Sequence, residues 1–193
     1  MSRQIEREEA SKTILGFRIY LLTDFMMFAT LFAAYAVLRK NTFGGMGAEE
    51  LFDLPSATKE SYLLLLCAFT AGCGGIFAER NNRACVILSF TLTFISGFIA
   101  YLFMKNDLGV LFAGGHTWKT NAFLSAYYTL IGTFIVHLLL ALLWILFFLA
   151  PPLFRPLHHV DTRRFVCLAM FWQFLNIVWI FIFSFVYLTG VLV

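Results

Sequence analysis

Charge is scarce in this 193-residue chain: 13% of its residues are Asp, Glu, Lys or Arg, while 61% are hydrophobic. A soluble domain carries about 25% charged and about 45–50% apolar residues, so an ordinary water-soluble domain is excluded. Cysteine is limited to Cys67, Cys73, Cys85 and Cys167, which form no CxxC and sit within or at the edges of apolar runs. That pattern excludes a thiol oxidase with paired loop cysteines and reads as unpaired packing residues. Histidine is rarer still in the apolar spans, where only His137 occurs. A haem with two axial histidines, or a metal centre built from this chain alone, would lack ligands. Arg and Lys lie in loops rather than in a basic patch, which removes nucleic acid as a partner. No nucleophile–base pair, Gly-rich phosphate loop or pair of intramembrane carboxylates is present, so no catalytic centre is expected in the chain itself.

What is abundant is long apolar sequence, with 24 phenylalanines. A bilayer core requires about 20 consecutive apolar residues, and several runs meet that length. The expected fold is all-α: one polytopic membrane domain over 1–193, a bundle of five transmembrane helices at about 14–38, 61–78, 84–104, 122–149 and 165–190. Residues 1–13, polar and mixed in charge, are expected to form an N-terminal tail, either as a surface helix or frayed. Residues 39–60, with Gly44, Gly45, Gly47 and Pro55, read as a loop, as do 105–121. Pro151 and Pro152 are expected to end the fourth span, because proline cannot continue the hydrogen-bond ladder. Eight basic residues lie in the N-terminal segment and the second and fourth loops, against five in the first and third. That bias predicts a cytoplasmic N-terminus and an external C-terminus.

Three groups of residues carry possible chemistry. Asp24 is read as the one acidic residue deep in a span, and must be protonated, paired or facing protein or water. Tyr20, one turn earlier, and the adjacent Thr23 are candidate hydrogen-bond partners, for proton handling or for an interhelical seal. Ser125, Thr129, Thr133 and His137 share one i,i+4 row, and His137 reads as a hydrogen-bonded core histidine. In the last span Gln173, Asn176, Ser184 and Tyr187 fall near one side, while Trp172 and Trp179 lie seven apart and nearly eclipse. These predict helix packing or a subunit contact through His137, Trp172, Gln173, Asn176, Trp179 and Tyr187. Arg18, Arg155, Arg163 and Arg164 are candidates for lipid phosphate, which planar guanidinium groups suit.

The WxFxxxVW core (Trp172, Phe174, Val178, Trp179) continuing into Val186-Tyr187-Leu188 resembles the last helix of subunit III of the haem–copper oxidases. The first span, GFRIYLLTDFMMFATLFAAYAV, resembles the family segment in which Ser-Asp or Ser-Glu follows a Tyr or Phe, with Asp24 at the carboxyl position and Thr23 in place of the usual serine. Asn81-Asn82, Phe123-Leu124-Ser125 and Gly132-Thr133 with His137 also match, so the likeness runs from about Gly16 to Leu188. The family's GTHGLH reads GTFIVH here, placing Phe134 at its first histidine. Leu102, Lys105, Gln173 and Asn176 stand where the family carries ionisable residues. Five spans with a short tail are similar to the bacterial quinol-oxidase branch.

The resemblance implies a non-catalytic accessory subunit of a proton-pumping quinol oxidase in the bacterial cytoplasmic membrane. It would hold no cofactor itself, bind phospholipid, and dock on a haem- and copper-bearing subunit I alongside subunit II and a small subunit IV. A five-helix cytochrome c oxidase subunit III is the neighbouring expectation. A small proton channel or transporter using Asp24 and His137 is the expectation from another class.

Overall fold

The computed structural model describes residues 2–42, 44, 46–154 and 159–192, with side chains from Ser11 onward except those of Leu153, His159, Val191 and Leu192. The elements are α1 (Ser2–Leu38), α2 (Ala48–Leu51), α3 (Leu54–Glu79), α4 (Arg83–Ala113), α5 (Ala122–Phe154), α6 (His159–Ile182), a π-helical turn (Phe183–Leu188) and α7 (Thr189–Leu192). Five of them are long and apolar enough to cross a membrane, and no strand occurs among the described residues.

The helix ends are set by local chemistry. At the close of α3, Asn81 adopts φ 55°, the left-handed conformation that asparagine tolerates better than most residues. Asn81 N–H then reaches the Ala78 carbonyl and Asn82 N–H reaches that of Phe77, the paired bonds that finish a helix on a left-handed residue. Asn82 at once caps α4, its side chain accepting from Cys85 N–H. The same device closes α4 later than the polar Lys105-Asn106-Asp107 step suggests. Gly115 takes φ 82° and His116 N–H bonds the Leu111 carbonyl. The helix therefore carries through 105–113, and Met104, Leu108 and Leu111 pack into the core.

Two further expectations are corrected. The loop at 39–60 contains α2, and α3 begins at Leu54 with Pro55 in its first turn, where a missing N–H costs nothing. Pro151 and Pro152 do not end α5, which runs on to Phe154. They remove only two N–H groups near the end of the helix, and the freed geometry is held from α4, where Arg83 Nε donates to the Pro152 carbonyl.

α6 is the centre of the bundle and α1 its flank. In their most apolar windows 56% of the α6 span is buried inside the chain but only 11% of the α1 span. α6 packs on α3, α5 and α1, while α3 packs most extensively on α4. Close approach is bought by small residues: a Cβ on Gly97 would stand 2.7 Å from the Trp172 ring, and one on Gly74 2.7 Å from Phe90. Between α3 and α4 the contact is polar as well, with Thr70 and Thr93 hydroxyls at 2.7 Å and Cys67 Sγ at 3.1 Å from Ser96 Oγ. All four cysteines are free thiols.

Candidate functional site

Asp24 sits halfway along its span, and the neighbour that comes to it is His137. His137 Nε2 lies 3.8 Å from Asp24 Oδ2, and both side chains are nearly buried, at 12% and 13% exposure. The approach follows from the hydroxyl row on α5. Thr129 bonds the Ser125 carbonyl, Thr133 bonds that of Thr129, and His137 Nδ1 lies 2.8 Å from the Thr133 carbonyl. A carbonyl can only accept, so Nδ1 carries a hydrogen and Nε2 is the atom turned to the carboxyl. Phe28 closes one side of the imidazole at 5.2 Å and Phe171 another at 6.4 Å. Asp24 Oδ2 has no hydrogen-bond partner at bonding distance. At 3.8 Å the two groups face each other beyond direct hydrogen-bond length.

Of the two partners expected for Asp24, Tyr20 stands one turn away, within electrostatic reach of the carboxyl. Thr23 turns away: its hydroxyl donates to the Ile19 carbonyl of its own helix at 3.1 Å, on the exposed face. A threonine in a helix has that acceptor always at hand.

The polar residues of the last span are spent largely inside the chain. Gln173 Nε2 donates to the Ala68 carbonyl of α3 at 2.7 Å, over Gly72. Trp179 Nε1 donates to Ser61 Oγ at 2.8 Å, and the hydroxyls of Tyr187 and Tyr127 lie 3.1 Å apart. Trp172 and Trp179 are each 1% exposed. Trp172 Nε1 and Asn176 Oδ1 are buried without a partner. The wide π-helical turn, a feature frequent at functional sites, leaves Val186 and Tyr187 both buried.

The arginines divide. Arg163 and Arg164 line a cavity of about 340 Å³ with Phe17, Trp144 and Phe148. Arg164 lies 5.8 Å from the centre of the Phe148 ring and 3.9 Å from Asp161. Arg18 is exposed on α1 and is not in that lining. Arg155 lies outside the described residues. A second groove, apolar and about 330 Å³, runs between α1 and α6 along Phe25, Phe28, Phe32, Val178, Phe181 and Phe185.

Sequence reasoning missed a second carboxyl site. Glu60, placed in the first loop by composition, lies inside α3 and is 1% exposed, with Oε1 unpartnered. Asp107, on the unforeseen extension of α4, accepts from Ser56 at 2.6 Å. The usable signal was periodicity, because Glu60 stands in register with Leu64, Cys67 and Ala71 on the inward face. Among the described residues no three His, Cys, Asp or Glu side chains come together as metal ligands.

No family model matches the chain. It is 37% identical over 186 residues, covering 96% of this chain and 88% of the relative, to the cytochrome bo(3) ubiquinol oxidase subunit 3 of Pseudomonas aeruginosa. It is 34% identical to the cytochrome c oxidase subunit 3 of Bacillus sp. PS3, covering 94% of this chain and 88% of the relative. To the quinol oxidase subunit 3 of Bacillus subtilis it is 31% identical, covering 97% of this chain and 92% of the relative. Matched along nearly its whole length by chains of that one kind, and folded as five membrane-length helices, the protein belongs to the subunit III family of haem–copper terminal oxidases.

Proposed function

We propose that this chain is a non-catalytic accessory subunit of a bacterial quinol oxidase. In this reading it docks on a haem- and copper-bearing subunit I, with subunit II and a small subunit IV as further partners, and stabilises that assembly. The observation that carries the reading is the near-full-length match to chains named subunit 3 of quinol oxidases. The lopsided bundle supports it: α1 is a membrane-length helix with most of its surface left uncovered by its own chain, a face suited to a neighbour in the membrane.

Asp24 and His137, face to face at 3.8 Å, form the polar contact that fastens that helix to α5, with Tyr20 beside them. Phospholipid occupies the cavity at Arg163 and Arg164, its phosphate on the guanidinium groups and an acyl chain along Phe17, Trp144 and Phe148. The N-terminus faces the cytoplasm, following the distribution of basic residues.

Purification of the natural complex in mild detergent, with mass identification of its chains and an absorption spectrum, tests the reading. Haem-bearing partners should accompany the chain. The match to a cytochrome c oxidase subunit favours one second reading, with cytochrome c as electron donor. Copper-ligating Cys and His residues in the co-purifying subunit II would select it.

A further inference from the structure

At the end of the bundle where the α1–α3 and α4–α5 connections meet the C-terminal turn, polar groups gather beneath Phe52. That ring lies 4.6 Å from Tyr127 and 5.3 Å from Tyr187, centre to centre. Below it the two tyrosine hydroxyls face each other at 3.1 Å. One donates to the other, so the pair keeps one O–H hydrogen to give elsewhere. Glu60 interacts electrostatically with both phenols and with Asp107. It enters no ion pair found among the described residues, and its neighbour Lys59 is exposed. Asp107, Tyr127 and Tyr187, with Asp53 and Ser56, line a partly open pocket of about 260 Å³ that no basic residue enters; Glu60 is not in that lining but stands one helical turn below Ser56 on α3.

A carboxyl sealed from water, with no cation beside it and an unfilled oxygen, disfavours holding a charge. The environments assign the roles. Asp107 is half-buried on the pocket wall and already accepts a hydrogen bond from Ser56. Glu60 is sealed, with Oε1 unfilled.

We propose that Glu60 is a proton-binding site, loaded and unloaded by water in the Asp107–Ser56 pocket. A proton passes from hydronium in the pocket to the Glu60 carboxylate, leaving water and a neutral acid, and returns by the reverse step. The charged and titratable groups facing it are Asp107 from α4, Tyr127 from α5 and Tyr187 from the π-helical turn. Glu60 lies six residues into α3, about 9 Å along its axis, whereas Asp24 lies about 21 Å from the corresponding end of α1. The two carboxyls therefore sit at different depths, and the Glu60 site stands whether or not Asp24 moves protons.

Infrared spectroscopy of the purified natural assembly tests it, comparing wild type with Glu60→Gln at pH 7. Glutamine copies the shape of the protonated acid, so assembly is expected to survive. The wild-type-minus-variant spectrum should contain one protonated-carboxyl C=O band, and that band should move within the mixing time in D2O. Absence of the band, or a band that exchanges no faster than the buried backbone, overturns the proposal. If Glu60→Gln fails to assemble, Asp107→Asn replaces it, because removing the adjacent charge must displace the Glu60 band; an unchanged carboxyl region would equally refute the site. Co-purifying chains are read from the same sample, so a failure of the accessory-subunit reading is seen separately.

Discussion

Replacing Asp24 separates a structural carboxyl from a chemical one. The pair with His137 at 3.8 Å would, if both groups were charged, attract by about 4 kcal/mol at an effective dielectric of about 20. Desolvation of two nearly buried charges offsets much of that. What survives is no more than a polar contact contributes within a membrane bundle, about 0.6 and at most about 1.7 kcal/mol. Asp24→Asn keeps a donor for the bare Nε2 and should cost under about 1 kcal/mol. Asp24→Leu leaves Nε2 facing hydrocarbon, and should cost about 1–3 kcal/mol, the penalty of an unsatisfied buried polar group. Retention of this chain on its complex through graded detergent treatment measures the loss, with sustained turnover as the second readout. The account expects Asn to resemble wild type in both and Leu to dissociate sooner. Equal loss of sustained turnover in both variants, with retention normal, would refute the sealing role and assign Asp24 to proton movement.

Gly97→Ala places a Cβ 2.7 Å from the Trp172 ring and should lower stability by about 1–3 kcal/mol, read as a fall in thermal midpoint. Gly109→Ala, where nothing stands within 4 Å, should be neutral or slightly stabilising by the same measurement. Ser61→Ala strands the Trp179 indole N–H, bonded at 2.8 Å, and should cost about 1 kcal/mol; a double-mutant cycle with Trp179→Phe should recover that coupling. Joint Arg163→Ala and Arg164→Ala should deplete co-purifying phospholipid in native mass spectrometry, while Arg18→Ala, outside the cavity lining, should leave it unchanged.

The bundle was legible because bilayer thickness imposes a length on every span, and apolar runs report it directly. Its breakpoints were less so. Lys105-Asn106-Asp107 and the Glu49–Lys59 region look like loops by polarity, yet each contributes helix, since a helix near a membrane end tolerates charge on one face. For that reason polarity hides Glu60 and Asp107 as sites, while Asp24, surrounded by apolar sequence, stands out. The pairing of Asp24 with His137 joins residues far apart in the chain and depends on α1 lying against α5, which no local pattern encodes. Thr23 shows the reverse error: adjacency in sequence suggested a partner, but its hydroxyl turns to its own backbone. Trp179 was visible as an anchor from its spacing, whereas its bond to Ser61 required the fold.

Isolation of the native assembly under mild detergent, followed by metal analysis of each separated chain, bears most directly on the claim that this polypeptide serves a neighbour that does the redox chemistry. The account predicts a larger haem-bearing chain in fixed ratio with this one, and iron and copper that leave with that partner. Recovery of this chain alone, or metal retained by it after separation, would contradict the account.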